Sequence, residues 1–211
     1  MPFLRFACPA ALTVLALLSP PARAEIAAPS PAVVAALAAP QALPDVVEGR
    51  ADAPATIIEY ASLTCSHCAA FHKEEWPAIK AKYVDAGKAK FILREFPLDP
   101  LSVGAFMLAR CAGQKRGAVI DRLFDHQSEW AFTANPLFHL KEQVMAAGLS
   151  EAEFDACLKN QALFDKVKSE REDAAAKLKV NSTPTFFVDG VELKGEHALD
   201  KIDEILSAKA R

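Results

Sequence analysis

The spacing of apolar residues changes period several times along the chain, and each change marks an element. "ATIIEYAS" (55–62) is a strand-sized run of β-branched and aromatic residues, introduced by the turn signal "DAP". Its near-continuous apolar character predicts a strand covered on both faces. From Ser66 to about Ala86 the spacing becomes helical, with Ala69, His72, Trp76, Ile79 and Tyr83 recurring every three or four positions. Pro77 is expected to kink this helix, because proline lacks an N–H and crowds the preceding turn. "AKFILREFPL" (89–98) predicts a second strand. Strand, helix and strand in this order form a β-α-β unit, whose right-handed crossover makes the two strands parallel.

The next stretch is helical in pattern almost throughout. "SVGAFMLARCAGQ", "KRGAVIDRLFDHQSEW" and "PLFHLKEQVMAAG" each carry a helical period, the last opening at a proline after Asn135 and stopping at Gly148. "SEAEFDACLKN" begins with Ser150 and Glu153 at capping-box spacing. A helix over about 161–179 leads to "TFFV" and "VELK", two short strands around the tight-turn pair Asp189-Gly190. "ALDKIDEILSAKA" closes the chain as a helix. The fold class is therefore α/β: a mixed central sheet flanked by helices, with an inserted helical domain. The two parts of the sheet domain are residues 45–98 and 180–211, and the insertion is 99–179. Such an insertion is too long for a loop and long enough for a small core. Met107 and Met145 are read as core residues.

The N-terminal region alters the picture of where the protein works. Arg5, the apolar run "ACPAALTVLALL" and the small residues around Ala22-Arg23-Ala24 have the order of an export signal. The run is shorter than a spanning helix needs and is broken by Ser19-Pro20-Pro21. Residues 1–24 are expected to be a cleaved signal peptide, and 25–44 a flexible Ala/Pro-rich lead-in divided by Pro29, Pro31 and Pro40, with room for one short turn of helix. Cleavage takes the formal charge from −3 to −5, by removing Arg5 and Arg23. A mildly acidic surface with scattered Lys and Arg gives no steering toward nucleic acid, and none is expected as a partner.

Of the five cysteines, Cys8 lies in the leader, which leaves Cys65, Cys68, Cys111 and Cys157. An even set in an exported chain permits disulfides. "CSHC" (65–68) falls where the first strand passes into its helix. Free N–H groups at a helix N-terminus favour an anion there, including a thiolate. Cys65 is thus the candidate exposed, activated thiol. His67 can add positive charge and a hydrogen bond. Cys68, one turn further in, is the more covered resolving thiol. Cys111 and Cys157 sit among apolar helical neighbours. They read as a structural disulfide, a second redox pair or two core thiols.

Glu59 is the odd residue of the first strand. It is either a surface acid at a strand edge or a buried proton carrier for Cys68, with Arg94 and Lys90 as candidate partners. Thr183-Pro184 opens a strand after a helix. A cis proline would make a fixed corner that exposes the backbone of Thr183 to an extended substrate. An ordinary trans proline at a strand start is the alternative, and the pattern does not choose. A zinc site would need four convergent ligands. His67 lies awkwardly inside the cysteine pair, and His72 reads as a core or rim residue. His126, His139 and His197 show no triad spacing. No metal is expected.

At these residues the chain resembles the thioredoxin superfamily, and most of all the DsbA-type periplasmic disulfide oxidoreductases. "DAPATIIEYASLTCSHCAAFH" is similar to that family's active-site segment and "NSTPTFFVDG" to its cis-proline segment. The resemblance implies a thioredoxin fold carrying a helical insertion. It implies Cys65 as attacking thiol, Cys68 as resolving thiol and Pro184 in cis beside them. It further implies Glu59 as the buried acid and a structural Cys111–Cys157 bridge like that of some alpha-proteobacterial members. No cofactor is implied. The implied partners are reduced or misfolded exported proteins and a quinone-linked membrane reoxidant resembling DsbB, with the enzyme a monomer in the periplasm. Two features depart from the best-known oxidases: "CSHC" lacks their proline, and Thr183 replaces their valine, as in isomerase-type relatives. Those isomerases carry an N-terminal dimerisation module, for which 25–44 is too short. Oxidase is the expected activity. Isomerase or reductase is the alternative, with a metal-binding exported module a third reading.

Overall fold

The computed structural model describes residues 28–194 and 198–209. The leader and His197 lie outside the described residues. A five-stranded sheet has the order β1-β3-β2-β4-β5. Its strands are β1 (Val47–Glu48), β2 (Ala55–Ala61), β3 (Ala89–Glu95), β4 (Thr185–Val188) and β5 (Val191–Lys194). β2 and β3 are parallel, as the crossover requires, and every other neighbouring pair is antiparallel. The β4–β5 turn runs through Asp189 and Gly190 with φ of 48° and 88°, the left-handed pair that a two-residue hairpin needs. β1 has only two residues, and no periodicity in the sequence announces it.

The lead-in differs from the expected flexible tract. Pro31–Ala38 form helix α1, with the Ser30 side chain accepting the N–H of Val33 as its cap. Pro31 stands at the start of the helix, where a missing N–H costs nothing, so it initiates the element rather than breaking it. Leu37 then packs with Tyr60, Phe187 and Leu178 on one face of the sheet. Further along, the N–H of Leu43 donates to the buried carboxyl of Glu170 at 3.2 Å.

The helix after β2 is divided. α2 (Ser66–Glu74) ends at Glu75, α3 (Trp76–Ile79) restarts at a turn containing Pro77, and one π-helical turn covers Lys80–Val84. The Glu75 carboxylate accepts the N–H of Leu199 at 2.7 Å, at the start of the C-terminal helix α10 (Leu199–Lys209). Between β3 and β4 lie α4 (Pro100–Cys111), α5 (Arg116–Asp125), α6 (Gln127–Trp130), α7 (Pro136–Ala146), α8 (Glu151–Leu158) and α9 (Gln161–Leu178). The Ser150–Glu153 capping box at α8 is present in both directions. The core of these helices, including Phe106, Leu123, Trp130 and Val144, is continuous with that of the sheet. Met107 belongs to it, but Met145 is 41% exposed. The buried face of α7 is Leu140, Gln143 and Val144, and one further residue turns the side chain toward solvent.

Cys111 at the end of α4 and Cys157 in α8 form a disulfide, with Cα atoms 6.1 Å apart. The bridge closes a loop with a sequence separation of 46. In the chain-entropy account such a loop contributes about 4 kcal/mol at most. Replacing both cysteines by alanine should lower the denaturant midpoint by the equivalent of about 2–4 kcal/mol, while thiol chemistry at Cys65 persists. Loss of that chemistry in a folded double variant would show that the bridge has a redox role.

Candidate active site

The site is assembled where β2 ends. Cys65 is the N-cap of α2, with an extended backbone, and its carbonyl accepts the first helical hydrogen bond from the N–H of Ala69 at 3.1 Å. The loop before it is tied to the inserted helices. Thr64 Oγ1 donates to Asp99, the N-cap of α4, at 2.5 Å. The N–H of Leu63 donates to Ser102 Oγ at 3.0 Å. Gln127 is buried and its single carboxamide NH2 donates to two carbonyls, Leu63 at 2.8 Å and Cys65 at 2.9 Å. Nothing in the sequence pattern pointed to Gln127.

Cys65 and Cys68 are unbridged. Cys65 is 8% exposed and Cys68 wholly buried. The expected exposed thiol is therefore mostly covered, because the Thr183-Pro184 corner lies against it. That peptide bond is cis, and in the thiol form Cys65 Sγ donates to the carbonyl of Thr183 at 3.4 Å. Hydrogen bonding from Cys68 is the main influence that brings the Cys65 thiol down from 9.0 to about 6. Burial opposes it. The Thr183 side chain and the backbone N–H groups of Cys68 and His67, in the first turn of α2, add to it. Burial does the reverse to Cys68, raising it well above the ordinary thiol, with the Cys65 bond and the Glu59 charge adding to the rise. The arrangement can thus hold one sulfur as an anion and the other as a thiol at neutral pH. His67 is exposed on the first turn of α2.

Glu59 is fully buried in the central strand β2, not at an edge. Neither Arg94 nor Lys90 is its partner. Parallel pairing sets Glu59 beside Leu93 and Tyr60 beside Arg94. Alternation then sends Arg94 to the opposite face, where it bonds Asp45, Tyr60 and the Leu37 carbonyl, while Lys90 reaches Ala51. The partner is His72 of α2, whose Nε2 lies 2.7 Å from Glu59 Oε2. Its spacing of four from Cys68 was the available signal, since residues i and i+4 share a helix face. His126 and His139 pair with Glu129 and Glu142 on helix surfaces. Among the described residues no group of three or more His, Cys, Asp or Glu converges as metal ligands would.

With this geometry established, comparison with known proteins is direct. A family model described as Thioredoxin matches residues 41–208. The crystal structure of Wolbachia pipientis alpha-DsbA1 superimposes with a TM-score of 0.75 at 31% identity, covering 82% of this chain and 93% of that one. The chain belongs to the thioredoxin superfamily and, within it, to the DsbA-type oxidoreductases. A Rickettsia typhi protein provisionally named a protein-disulfide oxidoreductase is 30% identical over 160 residues, or 75% of this chain. This chain spans 59% of that relative's length. A Novosphingobium aromaticivorans protein-disulfide isomerase shares the fold, with a TM-score of 0.68 at 24% identity, over 78% of this chain and 96% of that one.

The lowered thiol sets a pH dependence. A drop from 9.0 to about 6 corresponds to about 4 kcal/mol between the two protonation states. In the reduced protein this stabilisation is complete above the unfolded pKa near 9 and disappears as pH falls through about 6. Thiolate absorbance of the reduced protein should therefore show one inflection near pH 6. A lone inflection near 8.5 would contradict the site's electrostatics. Gln127→Ala removes this donor from the Leu63 carbonyl and one of two donors from the Cys65 carbonyl, and should cost about 1–3 kcal/mol in chemical unfolding. An unchanged midpoint would show that the Cys65 loop is held by other means.

Proposed function

We propose that this protein oxidises pairs of cysteines in other polypeptides by passing them its Cys65–Cys68 disulfide. The observation that carries the reading is the contrast between the two sulfurs: one stabilised as an anion at the mouth of α2, the other buried and held as a thiol one turn away. A substrate thiolate attacks Cys65 Sγ. The Cys65–Cys68 bond breaks and its electron pair leaves on Cys68, which takes a proton. A second substrate thiol then attacks the substrate sulfur of the mixed disulfide, and Cys65 departs as a thiolate. Two electrons pass from substrate to enzyme. Because the Cys65 thiolate stabilises the reduced form, the oxidised enzyme surrenders its bond readily, and Cys65 also leaves readily in the second step; each 1.4 kcal/mol of thiolate stabilisation is worth about 30 mV.

The other residues fit supporting parts. Thr183 is part-exposed beside Cys65, and main-chain pairing at its corner would accept an extended chain with little regard for side chains. Leu98 is 49% exposed next to the Cys65 loop, where its N–H donates to Ser62, and offers apolar surface to an unfolded partner. His67 supplies a first-turn N–H to the Cys65 anion. Glu59 serves as the proton carrier for Cys68, and Cys111–Cys157 as a structural staple. The leader over 1–24 directs the chain to the periplasm. The substrates there are reduced exported proteins, and a quinone-linked membrane protein resembling DsbB restores the disulfide. The Thr183 at the corner favours isomerase or reductase activity as the second reading.

Oxidation of a reduced cysteine-pair peptide should be lost in Cys65→Ser. Cys68→Ser, given a peptide that already carries an intermolecular disulfide, should accumulate a mixed disulfide at Cys65 and release the other peptide thiol. Full turnover in Cys65→Ser would remove the proposed role. A midpoint near about −120 mV suits an oxidant and one near about −270 mV a reductant. Faster recovery of scrambled than of reduced ribonuclease would move the assignment to isomerase.

A further inference from the structure

The exchange chemistry gives and takes a proton at Cys68, a sulfur with no exposed surface. Glu59 is equally sealed, at 0% exposure, so it cannot trade protons with water directly. A carrier that is never reloaded works once. Its hydrogen-bond partner among the described residues is His72, with Nε2 and Oε2 2.7 Å apart. His72 differs from Glu59 in one respect: its outer side lines a surface cleft of about 280 Å³ between the α2–α3 segment and α5.

We propose that His72 and Glu59 form a two-membered proton relay that connects the Cys68 thiol to this cleft. The inference rests on the thiol-exchange reading above and assigns it a proton route. His72 is a positioning and relay residue, since it does not touch the reacting sulfurs.

The surroundings of the ring favour this over a histidine that only fills the core. Phe124 stacks on it at 4.2 Å with planes 21° apart, and Phe71, Trp76 and Phe91 meet it at steeper angles. The ring plane is thereby held with Nε2 on Glu59. A core histidine usually ties its second nitrogen to a backbone or side-chain acceptor. Here Nδ1 has no hydrogen-bond partner among the described residues, and neither has Glu59 Oε1. The pair thus has an unengaged atom at each end, one on the carboxyl and one on the ring. Nδ1 is itself covered, so exchange takes place when the cleft wall admits a water.

Charged groups lie around the outer side of the ring. Glu48 of β1 and Asp121 of α5 are within electrostatic reach of His72, Arg116 of α5 is within reach of Glu48, and Lys73, Lys80, Asp121 and Asp125 line the cleft. Burial holds the Glu48 and Asp121 carboxyls above their ordinary range, and both feel the charge of His72. Of the two, Asp121 lines the cleft itself.

The step balances. When a substrate thiolate breaks the Cys65–Cys68 bond, Cys68 changes from anion to thiol by taking one proton from the Glu59–His72 pair. The ring then recovers one proton from the cleft. In the reverse direction Cys68 gives its proton to the pair, attacks the mixed disulfide, and the pair discharges to the cleft.

The test uses stopped-flow oxidation of the reduced protein by 5,5′-dithiobis(2-nitrobenzoate). One thiolate anion leaves when Cys65 attacks the reagent, and a second leaves when Cys68 resolves the mixed disulfide, so the two steps appear as separate phases. His72→Gln keeps a donor for Glu59 but cannot carry a proton. It should leave the first phase within about twofold and slow the second roughly tenfold or more, with a flattened pH profile. In His72→Ala, imidazole in solution should restore the second phase saturably, by entering the space opened toward the cleft. A second phase and pH profile in His72→Gln that match the parent would overturn the relay, and a slow Glu59→Gln variant beside it would leave Glu59 acting alone. Absence of the first phase in the parent would instead defeat the exchange reading.

Discussion

The site is organised by one interaction: the Cys65 sulfur lies at the open end of a helix, where an anion is favoured. The N–H groups of the first turn of α2 have no helical acceptors, so they face the Cys65 sulfur as fixed partial positive charge. Cys68 contributes through its hydrogen bond, and it can do so because it stays protonated. The same burial that would penalise an anion at Cys68 keeps its proton in place for Cys65. The two thiols are therefore not independent groups. Each is displaced in the direction that makes the other useful, and a single turn of helix separates them.

Such a site needs a rigid seat, and the inserted helices provide much of it. The strand that delivers Cys65 ends in a loop whose polar groups are taken up by Asp99, Ser102 and Gln127, all from the insertion. The corner that covers Cys65 arrives from the other end of the insertion, at the start of β4. Two segments far apart in sequence meet at one sulfur because β2 and β4 are neighbours in the sheet. The Cys111–Cys157 disulfide ties α4, which carries Asp99 and Ser102 at its start, to α8.

A carboxyl in the middle of the central strand is a cost that a purely structural sheet would avoid. Here it has one strong hydrogen bond, to a histidine clamped by four aromatic rings. By contrast, Glu95 on the next strand is satisfied by two arginines, Arg110 and Arg116, and its carboxyl is held below the ordinary range although burial opposes this. The two buried acids differ in their pairing: Glu95 has both oxygens engaged, and Glu59 has one oxygen without a hydrogen-bond partner among the described residues.

The sequence alone determined the elements that a local pattern controls: the apolar strand, the helical period after it, the tight Asp189-Gly190 turn, the α8 capping box and the cysteine pair at a strand–helix junction. Family likeness pointed to the cis bond at Thr183-Pro184, which periodicity left open. What depended on long-range packing was decided by the tertiary structure. A proline-rich tract became helix α1 because the sheet offered Leu37 a place to pack. Glu59 found His72 rather than Arg94 because parallel register and side-chain alternation put the arginine on the other face. Gln127 became a clasp on the Cys65 loop through contacts that no spacing along the chain records. Local periodicity reports which face of an element is apolar, but the residue opposite that face is set only when the elements pack.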